Sequence, residues 1–518
     1  MWSALRFGTR SAFRSIVHAP GFALGVVTCL ALGIGATVLI YSAVNDLLFR
    51  PPSHVRNPGQ VVRLRLSPEH QPSSRPGSLT SYPVYQTLRS GTHSFSAVAA
   101  YYRPDAILVD ADGASQEAFA YIVSEGFFDA LGVSLALGRG FLSENEETSN
   151  RPAYEAILSP GFAKRTFGDS RSSLGRAIRI GARWYTVVGV VPDGFTGPDL
   201  LKTDVWLPMG AAAEQVFGHQ WKASSGSYWL RILVRLGPGV SRLLAQRDVQ
   251  VALSRVEAQQ RSVAFASLRL GLSDERSESV KVSTWLLVVA LLVFATACAN
   301  VSSMLLARTT NRRRELAVCL AIGAPRSVLV TYVLAETLTL TWLGGVAALW
   351  LGGVGGKAFR TLLLPDLETP GSVLDWRVAG AALVATFVAA ALTGTVAARD
   401  AVRTDVIGAM RDQPELRRFA RLGARGLFVA VQIGLVFALM VGAGLFTTSL
   451  ARAKSIELGL DAANVLVVTA DRTRAQSSTV RPALLFHELL RRAASLPGVE
   501  RVALGTAVPF KKGMGYAV

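Results

Sequence analysis

Cysteine is nearly missing from this chain. Three occur in 518 residues, Cys29, Cys298 and Cys319, and none lies between residues 49 and 282. Whatever folds in that interval does so without disulfides. Charge is scarce as well, at 17% of residues, while half the chain is hydrophobic and the mean hydropathy is +0.34. That balance is too apolar for an ordinary soluble protein and points to a membrane protein. Enzyme signatures are also lacking. The string nearest to a phosphate-cradling G-x-x-x-x-G-K-[ST] loop, GGVGGKAF, fails at Leu351 and Ala358, so the chain is not expected to hydrolyse ATP. HELLR at 487–491 lacks the second histidine of a zinc protease, Ser225–Gly226–Ser227 is not a nucleophile elbow, and LGIGAT at 32–37 lacks the third glycine of a dinucleotide loop. No Cys/His cluster has metal-ligand spacing, so no enzyme activity, metal or cofactor is expected.

Acid is short relative to base, giving a formal net charge of +18. Much of the excess sits beside hydrophobic runs, as with Arg6, Arg10 and Arg14 in an acid-free 1–20 segment and seven arginines against four acids in 399–425. Placed there, positive charge sets membrane orientation. No nucleic-acid-binding motif accompanies it, and a nucleic-acid partner is not expected.

Long apolar runs are abundant. Residues 21–48 form the first expected span, whose core Phe22–Val44 carries no charge; Trp285–Leu306, Val328–Leu351, Val378–Ala398 and Gly426–Leu450 are four more. Each approaches or exceeds the roughly 20 residues needed to cross a bilayer. The first run is too long for a signal-peptide core and no A-x-A site follows, so it reads as a retained anchor. Its LGIGAT stretch reads as small-residue helix packing. Ahead of it, 1–20 reads as an amphipathic interfacial lead-in.

Basic loops at 308–326 and 399–425 are expected in the cytoplasm, and the charge-balanced loop 352–377 outside. The N-terminus is then cytoplasmic, and 49–282 and 451–518 lie outside. Strand-like and helical stretches alternate in 49–282, notably a hairpin from Ala177–Ile180 through a Gly–Ala turn to Trp184–Val191, and Ser241–Gln260 reads as helix. The expected fold class is an α-helical transmembrane bundle plus an α+β extracytoplasmic domain.

The loop 308–326, RTTNRRRELAVCLAIGAPR, holds the triple arginine Arg312, Arg313 and Arg314, then Glu315 and the apolar run Leu316–Ile322. Gly323 and Pro325 stop that run. Seven residues cannot span a membrane, so the segment reads as a short helix at the inner surface, with arginines toward phosphates or an acidic partner and an apolar part docked on something, or else as an ordinary basic stop-transfer loop. Three polar residues fall within spans: Asn300, Glu336 and Gln432. Asn300 and Gln432 read as interhelical hydrogen-bonding groups. Glu336 needs a bond from Asn300 or from a basic residue at the inner surface.

RRRELAVCLAIGAPRSVLVTYVLAE resembles the loop and following helix of FtsX/MacB-type permeases of ABC transporters. VSEGFFDALGVSLALGRGF (123–141), ILSPGFAKRTFGD (157–169) and LGRAIRIGARWYTVVGVVPDGF (174–195) resemble, in order, the periplasmic core domain of MacB-like proteins. The resemblance implies a MacB-like core at 49–282 and an FtsX-like domain at 283–400. It also implies ATPase coupling through Arg312, Arg313, Arg314, Glu315, Leu316, Leu320, Gly323 and Ala324. A basic stretch leading the fifth span, with a polar segment after it, echoes the first span. The plan is similar to duplicated permeases described chiefly in acidobacteria, with the second external unit cut short at 451–518.

The resemblance implies a permease of a bacterial inner membrane. A separate cytoplasmic ATPase would drive motion of the external domain by mechanotransmission, exporting a periplasmic antibiotic, peptide or lipoprotein. A periplasmic adaptor and a dimer or pseudo-dimer with the second half are further expected partners. The alternatives are an FtsX-like scaffold that activates a cell-wall hydrolase and a membrane-anchored binding or sensor protein without an ATPase.

Overall fold

The computed structural model describes residues 19–45, 52–68, 79–104, 106–141, 153–199, 201–218, 220–254, 261–268, 278–312, 315, 318, 321–322, 325–363, 376–402, 418–455, 466 and 482–504. The chain divides into two compact units. One is built on 1–49 and 276–460 except 366–370, the other on 50–275, 366–370 and 461–518.

The first unit is helical. Its five helices, Pro20–Val44, Glu278–Asn311, Arg326–Leu363, Trp376–Val402 and Arg418–Lys454, are called the first to fifth spans. All are long and apolar enough to cross a membrane. Most outrun the apolar stretches that mark them in the sequence, because a helix continues into the interface for as long as its residues suit it. The expected linker 399–425 is correspondingly shorter, since helix occupies both of its ends. The 1–18 lead-in and most of 451–481 lie outside the described residues.

The first span packs against the second and third, and the fourth against the third and second. Its inward residues Val26, Leu30, Ile34 and Val38 recur every four positions, and Phe294, Cys298, Val301 and Leu305 line the facing stripe of the second span. These intervals place one face of each helix in the seam. LGIGAT does serve close packing: a β-carbon on Gly33 would collide with that of Ala297, and Gly35 lies against Ala348. Gly344 accepts Leu30, and Gly345 accepts Thr386. Glycines at these crossings let backbones approach where lipid supplies no hydrophobic drive for association. Trp285 and Trp376 are exposed toward the ends of their spans remote from Arg308, as expected of interfacial anchors.

The second unit is an α+β domain around one twelve-stranded sheet, among the described residues. Its strands are β1 (Val61–Pro68), β2 (Phe95–Tyr102), β3 (Ile107–Ala111), β4 (Ala114–Ala118), β5 (Ala120–Val123), β6 (Leu137–Gly138), β7 (Glu155–Leu158), β8 (Ala177–Ile180), β9 (Arg183–Val190), β10 (Val205–Pro208), β11 (Arg231–Leu236) and β12 (Arg261–Ser267). The order is β12-β1-β11-β2-β5-β10-β7-β9-β8-β3-β4, with β6 pairing β9. Helices α1 (Tyr82–Gly91), α2 (Phe127–Leu131), α3 (Pro160–Phe167), α4 (Met209–Phe217) and α5 (Arg242–Leu253) accompany the sheet.

Alternation along the strands builds two cores. Leu64, Ala100, Ile122, Ala156 and Ile232 face one, together with residues of α1, α3, α4 and α5. Tyr101, Tyr121, Ile157, Trp206 and Leu233 face the other, with α2. A side-chain period of two sends neighbouring residues to opposite faces. Central strands β5, β7 and β10 are therefore buried on both sides. The hairpin expected at 177–191 is present, closed by Gly181–Ala182, with Gly181 at φ 59°. The expected helix 241–260 is shorter: α5 ends at Leu253, and 255–260 lie outside the described residues. β12 then follows.

Asp199 ties four strands of this sheet together. It pairs with Arg63 of β1 at 2.5 Å and Arg231 of β11 at 3.2 Å, and accepts hydrogen bonds from Tyr121 of β5 at 3.0 Å and Tyr101 of β2 at 3.4 Å. Burial alone would raise its pKa. The two guanidiniums and two hydroxyls outweigh burial, and the net direction is down.

Candidate functional site

Sequence attention falls on the segment after the second span, and the structure shows what holds its base. Arg308 and Arg312 are four residues apart and so share a helix face. Tyr332 and Glu336 do the same on the third span. The two faces meet. Arg308 Nε lies 3.2 Å from Glu336 Oε1, and Arg312 Nη1 lies 3.8 Å from Oε2. Arg312 Nη1 also donates to the Tyr332 hydroxyl at 3.1 Å, and its Nε to Glu315 Oε2 at 3.0 Å. The first span joins through Phe22, whose ring lies 4.2 Å from the Arg308 guanidinium carbon. Two arginines of the second span thus pair with one carboxylate of the third, and the first span reaches the cluster through Arg308.

Glu336 is only 7% exposed. An ionised carboxylate at that depth is costly unless paired, and two arginines and two glutamates balance in charge. Arginines at a span end ordinarily reach outward to headgroups. Arg308 and Arg312 instead turn back to partners in their own chain. For Arg312 this departs from the outward orientation expected of the loop arginines, because Glu336 requires a counter-charge. Of the two partners considered for Glu336, Asn300 or a basic residue, the basic residues hold it.

Asn300 and Gln432 meet each other: Gln432 Nε2 donates to Asn300 Oδ1, and the Ser303 hydroxyl donates to Gln432 Oε1 at 3.2 Å. This polar contact joins the fifth span to the second. Arg313, Arg314, Leu316, Leu320, Gly323 and Ala324 lie outside the described residues. Glu315, Val318 and Ala321 have helical backbone, and the Ile322 amide donates to the Val318 carbonyl at 3.1 Å. Val318 is 53% and Ile322 82% exposed. The apolar side chains of the segment that are described therefore have no cover in this chain. No group of His, Cys, Asp and Glu among the described residues could hold a metal ion.

Arg308, Tyr332 and Phe22 escape sequence reasoning as site residues. The paired spacings Arg308–Arg312 and Tyr332–Glu336 were the available signal, since each places a polar pair on one face near a span end.

Comparison with known proteins gives two family matches. Residues 23–252 match the MacB-like periplasmic core domain, and 287–406 match the FtsX-like permease C-terminal domain. The macrolide export ATP-binding/permease protein MacB of Hahella chejuensis is 28% identical over 56% of this chain and 42% of its own length. The probable syringafactin export ATP-binding/permease protein SyfD of Pseudomonas syringae pv. syringae is 25% identical over 56% and 42%. The crystal structure of the periplasmic region of MacB from Actinobacillus actinomycetemcomitans superposes with a TM-score of 0.32 and 18% identity, covering 40% of this chain and 89% of that one. The chain spans about two fifths of the length of the curated relatives it matches. With a periplasmic core model and an FtsX model matched in that order, and apolar helices of spanning length where the family has its membrane part, the chain belongs to the FtsX/MacB-like permeases of ABC transporters.

Proposed function

We propose that this permease takes mechanical work from a separate ATPase at its 308–326 segment and delivers it to the α+β domain, which handles an export substrate on the far side of the membrane. The exposure of Val318 and Ile322 carries this reading. Two apolar side chains stand uncovered on a short helical turn whose base is fixed, which suits a surface for another protein. The N-terminus and this segment are then cytoplasmic, consistent with the arginines around them. Buried hydroxyls between the first four spans, Ser302, Thr337, Thr341, Thr386 and Thr393, bond back to carbonyls of their own helices, among aliphatic and alanine side chains, which favours transmission of motion over a watery path. An antibiotic, peptide or lipoprotein is the expected cargo class; the named relatives export a macrolide and, probably, syringafactin. The fifth span opens a second, echoing unit, in which helix Pro482–Ala494 follows the fifth span as α1 follows the first.

Photo-crosslinking tests the proposal in native membranes. p-Benzoylphenylalanine at Val318 or Ile322 is expected to capture a polypeptide that mass spectrometry identifies as bearing a G-x-x-x-x-G-K-[ST] loop. The same probe at Leu32, exposed on the first span, should not. Absence of an ATPase adduct at both loop positions, or protease access placing the loop on the same side as Trp184, would overturn it.

A further inference from the structure

We infer that Glu336 is a positioning residue, the pin of a joint that makes the start of the first span, the inner end of the second and the inner part of the third move together. This rests on the proposal that the 308–326 segment receives force, and specifies how that force enters the bundle.

The pin is one carboxylate with a guanidinium on each oxygen: Arg308 at 3.2 Å and Arg312 at 3.8 Å. Both arginines belong to the helical turns that lead into the segment. Arg308 also lies over Phe22, at the beginning of the first span, and that span continues in sequence into β1 of the α+β unit. Arg312 holds Tyr332 and Glu315, the latter within the segment itself. A displacement of Glu315 therefore pulls on Arg312, Glu336, Arg308 and Phe22 through contiguous polar and ring contacts. Two features argue for a joint over charge neutralisation alone. The Glu336 carboxylate is shared between two arginines, and one of them, Arg312, is also paired with Glu315 of the segment. The Arg308 side chain, at a span end where water and headgroups are within reach, is 14% exposed, and its guanidinium packs against an aromatic ring of a different helix.

Removing one partner of a buried ion pair leaves the others unpaired and strongly favours opening. In the full chain in lipid nanodiscs, Glu336→Gln should speed backbone amide exchange about tenfold or more, both at 309–312 and at 23–26 of the first span. The paired change Arg308→Met/Glu336→Met replaces the closer ion pair with apolar groups and leaves Arg312 to Glu315 and Tyr332, and replacing a buried pair this way commonly restores stability. It should return the melting temperature toward that of the unaltered protein while exchange at 23–26 stays fast. Phe22→Leu removes only the ring, and should release 23–26 with 309–312 unchanged.

Exchange at 23–26 that is unaffected by Glu336→Gln, or that recovers along with melting temperature in the paired variant, would overturn the inference and leave Glu336 a stability residue. Should the paired variant fail to fold, Phe22→Leu decides: unchanged exchange at 23–26 overturns the joint. The measurement needs no ATPase, so its outcome is independent of the cross-linking result. If an ATPase is captured at Val318 while Glu336→Gln leaves 23–26 untouched, the joint fails and the functional proposal stands.

Discussion

Asp199 and Glu336 are both buried carboxylates paired with two arginines, but they sit in different surroundings. Asp199 takes Arg63, Arg231, Tyr101 and Tyr121 from four strands of one continuous sheet. None of those partners can shift without disturbing strand register. Glu336 takes Arg308 and Arg312 from the end of a helix, next to a segment with exposed apolar side chains. The same chemistry thus makes a rivet in the α+β unit and a hinge pin in the bundle, and what differs is the rigidity of the elements that carry the partners.

Replacing the rivet should have the largest effect. Asp199→Asn leaves the mostly buried Arg63 and the partly exposed Arg231 without their carboxylate, and should destabilise the α+β unit by about 3 kcal/mol, read from tryptophan fluorescence during urea unfolding. The native carboxyl also gives a pH signature. Its folded pKa is lowered, so its stabilisation is complete above the unfolded aspartate value of about 3.9 and is lost as pH falls through the lower folded value. Asp199→Asn should flatten that acid limb. If stability is equally acid-sensitive in the variant, Asp199 is not the rivet.

Within the bundle the contrast can be sharpened with two glycines. Gly33→Val forces a side chain into Ala297 and should cost about 1–3 kcal/mol. Gly442→Val, where nothing lies within 4 Å of the new β-carbon, should stay within about 0.5 kcal/mol. Thermal melting in nanodiscs measures both; equal losses would deny that the first four spans form the packed core. The smallest effect is expected at the fifth span. Gln432→Leu removes the bonds to Asn300 and Ser303 and should cost about 1 kcal/mol, from about 0.6 kcal/mol for each interhelical hydrogen bond in membranes. A loss several times larger would make the fifth span an integral member of the bundle.

How much of this could be read from residues alone follows from distance along the chain. The spans were legible because charge is excluded from Phe22–Val44 and its counterparts, and the hairpin at 177–190 because its turn glycine and β-branched run are local. β5 and β7 were harder. Buried on both faces, AYIV and EAIL show no alternation. Glu336 was visible as an oddity, but its partners were not, since Arg308 and Phe22 lie on other helices. Asp199 gave no signal at all: its network exists only once β1, β2, β5 and β11 are side by side.

Two of the exposed tryptophans, Trp285 and Trp376, have a consequence for the membrane itself. Trp285 and Arg308, like Trp376 and Arg399, are 23 residues apart on a single helix, or about 35 Å at the usual rise. A ring that favours the headgroup zone at one end and an arginine fixed at the other act as a ruler. Short-chain lipids would leave that ruler too long, and the bundle would have to lean or thicken its surroundings to fit. Bilayer thickness should therefore enter this protein's behaviour as a variable in its own right.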